Sequence, residues 1–203
     1  IGTPPSESDG PPVIDVLVAY TPDALTVAGS QSAMDSEIAL SVVVTNTAYA
    51  DSGVAGRLQL VGTSLLTENL DLSSQSLQWL RGTSDGHSDQ IHALRDSTGA
   101  DLVSAITGND PSACGRGYLL SGTNDAASRS AYGFSVVSYS CAASNYSFAH
   151  ELGHNMGLDH DRYVVPTPTL YPYAVGYVNL AGKWRTIMAY NDQCADSGFN
   201  CTR

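Results

Sequence analysis

"FAHELGHNMGLDHD", residues 148–161, holds three of the chain's five histidines. His150, Glu151, His154, Gly157 and His160 fall at offsets 0, 1, 4, 7 and 10. On a helix, residues four apart differ by only about 40° around the axis, so His150 and His154 project from one face, one turn apart. Two imidazole nitrogens so placed can each stand about 2.0–2.1 Å from a single zinc ion. Glu151 sits beside the first of them and reaches the edge of the site, where a carboxylate can take the proton of an attacking water. His160 lies six residues past His154, and a continuing helix would carry it to the far side. Gly157 supplies the break, because a helix C-terminal cap needs a left-handed backbone that glycine adopts at low cost. Three protein ligands leave a fourth position open, which marks a catalytic rather than a structural zinc site.

The rest of the composition agrees with such a site in an extracellular setting. The chain has 203 residues, enough for one domain that buries a core without staples. Its net charge is −11, with one lysine, Lys183, and eight arginines. That balance argues against nucleic acid, whose binding needs a basic surface. No apolar run approaches the roughly 18 residues of a membrane span. No charged and apolar leader opens the chain, so any signal peptide or pro-segment is expected to have been removed. Sixteen aspartates against four glutamates read as a solvated acidic surface. Bound calcium is the sharper reading, although no D-x-D-x-D-G loop locates it. The four cysteines, Cys114, Cys141, Cys194 and Cys201, lack C-x-x-C spacing and suggest two disulfides and an oxidising compartment. Three connectivities are open; Cys114–Cys141 with Cys194–Cys201 is favoured.

Pattern divides the chain unequally. Residues 1–12 form a proline-rich extended lead-in. "VIDVLVAY" (13–20) reads as a buried strand and Pro22 opens a short helix. Residues 32–53 carry Met34, Ile38, Ala39, Val42, Val43 and Tyr49 at helical spacing, which predicts one long helix ending at Gly53. A strand over 56–66, two helices ending at Gly82 and Gly99, and a strand over 100–107 follow. Helices alternating with hydrophobic strands predict an α/β lobe with a mostly parallel sheet. Short strands at 117–122 and 134–140 precede the histidine helix, expected from about Asn145 to Gly157. Beyond 162 the texture is irregular. The expected organisation is a single catalytic domain, with an N-terminal lobe over 13–161 and a small C-terminal lobe over 162–203. His87 and His92 fall on an expected exposed helix and need no function.

"HELGHNMGLDHD" resembles the zinc signature of the metzincin metalloendopeptidases. That family also places a methionine-bearing turn beneath the metal, and "WRTIMAY" (184–190) supplies one, 28 residues from His160 to Met188. Asp161 after the third histidine resembles the reprolysin type. "YSFAHELGHNMGLDHD" with "YPYAVGY", "WRTIMAY" and "VIDVLVAYTPDA" is similar to the bacterial peptidyl-Asp metalloendopeptidases.

The resemblance implies a zinc endopeptidase, secreted and monomeric, acting on protein or peptide substrates in a cleft between the lobes. It implies His150, His154 and His160 as zinc ligands, Glu151 as general base and Met188 as a packing floor. Asp161 would hold the chain after the turn. Tyr190, in an M-x-Y spacing like that of astacins and serralysins, would stabilise an oxyanion; reprolysins proper lack it. Substrate would add as a strand along an edge, for which Gly117, Tyr118 and Leu119 are the candidates. Cleavage before aspartate would need a cation in the pocket, from among Arg116, Arg162, Lys183 and Arg185, with Arg185 preferred. Three alternatives stand beside this reading: a broad endopeptidase preferring apolar residues after the scissile bond, an inactive zinc-containing binding module, and a structural zinc site.

Overall fold

The computed structural model describes residues 11–120 and 129–203. Most of the expected lead-in, and residues 121 and 122 of an expected strand, lie outside that range. The first strand, β1 (Val13–Tyr20), is buried from Val16 to Tyr20. Such continuous burial fits a strand covered on both faces of a parallel sheet. Its side chains alternate between two cores. Val16, Val18 and Tyr20 face one with Met34, Ile38, Phe148 and Leu152, while Leu17 and Ala19 face the other with Leu77, Leu80, Ile91 and Phe134.

The chain continues through α1 (Pro22–Ala28), α2 (Gln31–Asp51), β2 (Arg57–Leu65), α3 (Ser74–Arg81), α4 (Gln90–Thr98) and β3 (Leu102–Thr107). Then come β4 (Gly115–Gly117), β5 (Phe134–Ser138), a 3₁₀ turn (Tyr139–Cys141) and α5 (Ser147–Asn155). The sheet order is β2-β1-β3-β5-β4. β2, β1, β3 and β5 run parallel, and β4 pairs antiparallel to β5 at the edge. This is the mostly parallel mixed sheet that the alternating pattern predicts. Past residue 162 regular structure shrinks to a two-stranded ribbon, β6 (Val178–Asn179) with β7 (Trp184–Arg185), and a short α6 (Asp192–Asp196).

The long helix keeps its length but not all of its expected face. Its buried stripe is Met34, Ile38, Ser41 and Thr45. Ala39 and Val43 are exposed, Val43 by 57%. At about 100° per residue they stand roughly 140° and 180° from Met34, so the face toward the sheet takes in small polar residues instead. His87 precedes α4 rather than lying on it, and its Nδ1 pairs with Glu68 at 2.8 Å.

Every residue of α5 is buried. The helix packs beneath the sheet edge, and its last residue ties it there. Asn155 Nδ2 donates to the carbonyls of Tyr118 at 2.9 Å, Phe134 at 3.0 Å and Tyr132 at 3.2 Å. Asn155→Asp places acceptor oxygens against those three carbonyls and buries a charge. The expected outcome is a loss of more than about 3 kcal/mol at neutral pH, read by urea denaturation. A wild-type midpoint would show that this amide does not anchor the helix.

Candidate metal centre

The end of α5 turns the chain back on itself. Gly157 N–H donates to His154 O at 3.0 Å and Leu158 N–H to Gly153 O at 2.9 Å. These are the two bonds of a Schellman cap, closed by Gly157 at φ +92°. Asp159 then shapes the returning loop. Its Oδ1 accepts the His160 N–H, and its Oδ2 accepts the Thr169 N–H and hydroxyl.

The turn brings three imidazoles together. His160 Nε2 stands 3.2 Å from His150 Nε2 and 3.1 Å from His154 Nε2. The opposite ring nitrogens are committed to backbone carbonyls: His150 Nδ1 to Ile187 O at 2.9 Å, and His154 Nδ1 to Leu158 O at 2.8 Å. A carbonyl only accepts, so Nδ1 carries the proton in both rings and Nε2 presents its lone pair inward. Converging lone pairs repel one another unless a cation lies between them. Ligands about 2.0–2.1 Å from a tetrahedral zinc stand roughly 3.3 Å apart, close to the spacing found. Burial lowers His150 to about 3 and His154 to about 4, against the carbonyl bonds that pull upward. Neutral imidazole is the form a metal needs. Among the described residues these three side chains are the group placed to hold a metal ion. No acidic cluster does so there, and calcium stays an expectation of the sequence.

Glu151 lies under β4. A Cβ at Gly115 would stand 2.6 Å from Glu151 Oε1, and one at Gly117 would stand 2.8 Å from Glu151 O. Glycines at both positions let the strand close over the carboxylate. Burial pushes Glu151 up to about 8, while the Gly117 N–H and the Arg116 and Arg203 cations pull it down. A divalent cation on the three histidines would lower it further.

The expected supporting residues gather around this core. Met188 is buried, with Sδ 2.6 Å from where a Gly153 Cβ would stand, so it fills the space under α5. Asp161 joins the two motifs, accepting from Tyr163 N–H at 3.0 Å and Tyr190 N–H at 2.8 Å. The Tyr190 ring lies 4.1 Å from that of His160 and stays 41% exposed. Cys114 is bonded to Cys141 and Cys194 to Cys201.

The substrate-side candidates make bonds within the protein. Tyr118 does not offer its backbone outward: its N–H donates to Phe134 O at 3.2 Å and its carbonyl is taken by Asn155. Gly117 faces the other way, toward Glu151. The four candidate cations also separate. Arg162 turns to the carbonyls of Pro166 and Pro172, and Lys183 lies 5.1 Å above the Phe199 ring. Arg116 Nε donates to Leu72 O at 2.7 Å, and Arg185 Nη1 to Ala189 O at 2.6 Å. Sequence reasoning passed over Arg203, whose charge acts on Glu151, Tyr190, His150 and His160. No spacing or motif signals a residue brought in from so far along the chain.

The sequence profile of the reprolysin-like metallopeptidases, family M12B, matches residues 10–202. A peptidyl-Asp metalloendopeptidase of Stenotrophomonas maltophilia is 39% identical over 198 residues, covering 94% of this chain and 45% of its own length. One from Xanthomonas campestris is 38% identical, covering 91% and 42%. The chain thus spans less than half the length of these relatives. Among solved structures, a chain from a chaperone-substrate complex aligns at a TM-score of 0.65 and 20% identity, over 89% of this chain and 31% of its own. That likeness concerns the fold alone.

The buried histidines predict how the metal-stripped protein responds to acid. Their folded values lie below the unfolded value of about 6.5, so the unfolded chain binds more protons as pH falls. Stability of the chelator-treated protein should therefore decline from about pH 6.5 toward 4, and His150→Gln should flatten the decline. Denaturant melts across that range, matched to the variant, check it; parallel curves would contradict it.

Proposed function

The chain belongs to the reprolysin-like metallopeptidases, and from that premise we propose that it is a secreted zinc endopeptidase cutting on the amino side of aspartate. The observation that carries the hydrolase reading is the convergence of three Nε2 atoms, with a carboxylate buried under an edge strand next to the first of them in the chain. The aspartate preference follows the names of the curated relatives. Two disulfides support an oxidising, extracellular setting. No helix among the described residues is long and apolar enough to cross a membrane.

A catalytic domain over 1–203 would hold substrate between the lobe of residues 13–161 and the smaller lobe of 162–203. Zinc on His150, His154 and His160 would supply the Lewis acidity that polarises the scissile carbonyl and acidifies water. Glu151 takes the proton of the attacking water on a carboxylate oxygen and passes it to the leaving amine. Its burial favours the protonated form and so favours the first half of that relay, the uptake of the proton. Tyr190 is half-buried beside His160, and burial and the Glu151 charge keep its phenol protonated. A protonated phenol can donate to the oxyanion of the tetrahedral intermediate. Of the three edge candidates Leu119, just past β4, would be left to receive an extended peptide, because the Gly117 N–H is taken by Glu151 and the Tyr118 backbone by Phe134 and Asn155.

Digestion of a denatured protein mixture, read by mass spectrometry with and without chelator, tests the reading. Chelator-sensitive cuts before aspartate are expected; folded, zinc-loaded protein that makes no cuts would sink it and favour a binding module. Glu151→Gln should lower kcat by about 10²- to 10⁴-fold with one zinc per chain still bound by elemental analysis. Equal loss of metal and rate would make Glu151 a structural residue. Tyr190→Phe should lower kcat on the order of 10²-fold with KM nearly unchanged; a rise confined to KM would assign the hydroxyl to ground-state binding.

A further inference from the structure

Two arginines stand beside the centre without a counterion among the described residues. The segment after the Cys194–Cys201 disulfide runs along β7: Arg185 N–H donates to Thr202 O at 2.8 Å, and Thr202 N–H to Lys183 O at 3.1 Å. This pairing brings Arg203 alongside Arg185. The Arg203 side chain then reaches across to the start of α5, where Nη1 donates to Asn145 O and, at 3.3 Å, to Asn145 Oδ1. It thereby spans from the C-terminal lobe to the active-site helix.

Neither guanidinium has a carboxylate within ion-pair distance among the described residues. Both Nε atoms are shielded from solvent and unpartnered. Asp161 and Asp192 act on Arg185 only at longer range, and Asp161 is occupied by two backbone amides. Burial first, and then the Arg185 charge, lower Arg203 to about 10. In a chain of net charge −11, two half-buried like charges left unpaired are unfavourable unless an anion completes them. A substrate group that completes them would fit beside the centre and accept from planar donors. A carboxylate meets both requirements.

We propose that Arg203, acting with Arg185, binds the carboxylate of the residue after the scissile bond and so sets the acidic preference. The inference rests on the endopeptidase reading above. A carboxylate could also come from a free peptide C-terminus, which would make the protein trim ends instead of cutting internally.

The test uses zinc-loaded protein and peptides with amidated C-termini that differ only after the scissile bond: Asp, Asn or Leu. Wild type should prefer Asp over Asn in kcat/KM. Arg203→Ala should shrink that ratio by about 10- to 100-fold, and Arg203→Lys should restore part of it, since a point cation keeps the charge but loses the fork. Binding of the same peptides to a Glu151→Gln background, measured without turnover, should show the same collapse for the double variant. If Arg203→Ala does not fold by circular dichroism, the ratios for Arg203→Lys and Arg185→Lys carry the test, each expected below wild type.

A wild type that cuts amidated peptides without preferring Asp overturns both the specificity reading and this inference. Activity that appears only with free C-termini does the same. A wild type that prefers Asp while the variants keep its ratio overturns the inference alone. Equal loss on Asp and Asn peptides also overturns it, because Arg203 would then act on Glu151 and not on the substrate.

Discussion

The inward direction of the histidine lone pairs is the constraint on which the rest depends. An imidazole is a metal ligand on one nitrogen only while the other keeps its proton. Here that proton is held by main-chain carbonyls, Ile187 O for His150 and Leu158 O for His154. Leu158 belongs to the cap that ends the helix, so breaking the helix and orienting the second ligand are one event. Ile187 is the residue before Met188, so the methionine turn does more than fill space. It delivers the acceptor that sets the tautomer of the first ligand. Asp161 then binds Tyr190 N–H, fixing the exit of that turn to the residue after the third histidine. The two motifs are thus joined by hydrogen bonds at both ends.

Glu151 raises the opposite problem. A carboxylate that is to act as a base must be near water, yet this one is buried beneath an edge strand whose two glycines admit it. Desolvation favours its neutral form, and the Gly117 amide with Arg116 and Arg203 offsets only part of that. A cation on the three histidines would offset the rest.

Most of the sheet was legible because continuous apolar runs and alternating helices carry their own periodicity. Within α2 the stripe was not: Ser41 and Thr45 face the sheet where Ala39 and Val43 were expected. Thr45 resolves its own polarity by donating to Ser41 O at 2.7 Å, a bond that hydropathy cannot register. In the centre, the ligands, Glu151 and the glycine break could be read because they sit within eleven consecutive residues governed by one helix. Tyr118 and Asn155 could not, since their roles come from which backbone groups the sheet edge leaves unpaired. Arg203 lies 43 residues past His160, and only the pairing of the C-terminal segment with β7 reveals its place.

The position of that segment bears on how the chain past residue 162 is held. It has little regular structure and supplies no residue to the two apolar cores, and polar ties join it to the rest of the protein. The Ile187–His150 and Asp161–Tyr190 bonds do so at the floor of the site, and Arg203 does so at its side through Asn145. Asn145 Nδ2 in turn lies 3.4 Å from Cys114 Sγ, in the disulfide that anchors the start of β4. One line of contacts therefore runs from the edge strand, through Asn145 and Arg203, to Arg185 on the ribbon. A cation placed for recognition also bridges the walls between which a substrate would lie. Binding an acidic side chain there would neutralise the repulsion between the two arginines and tighten the same bridge.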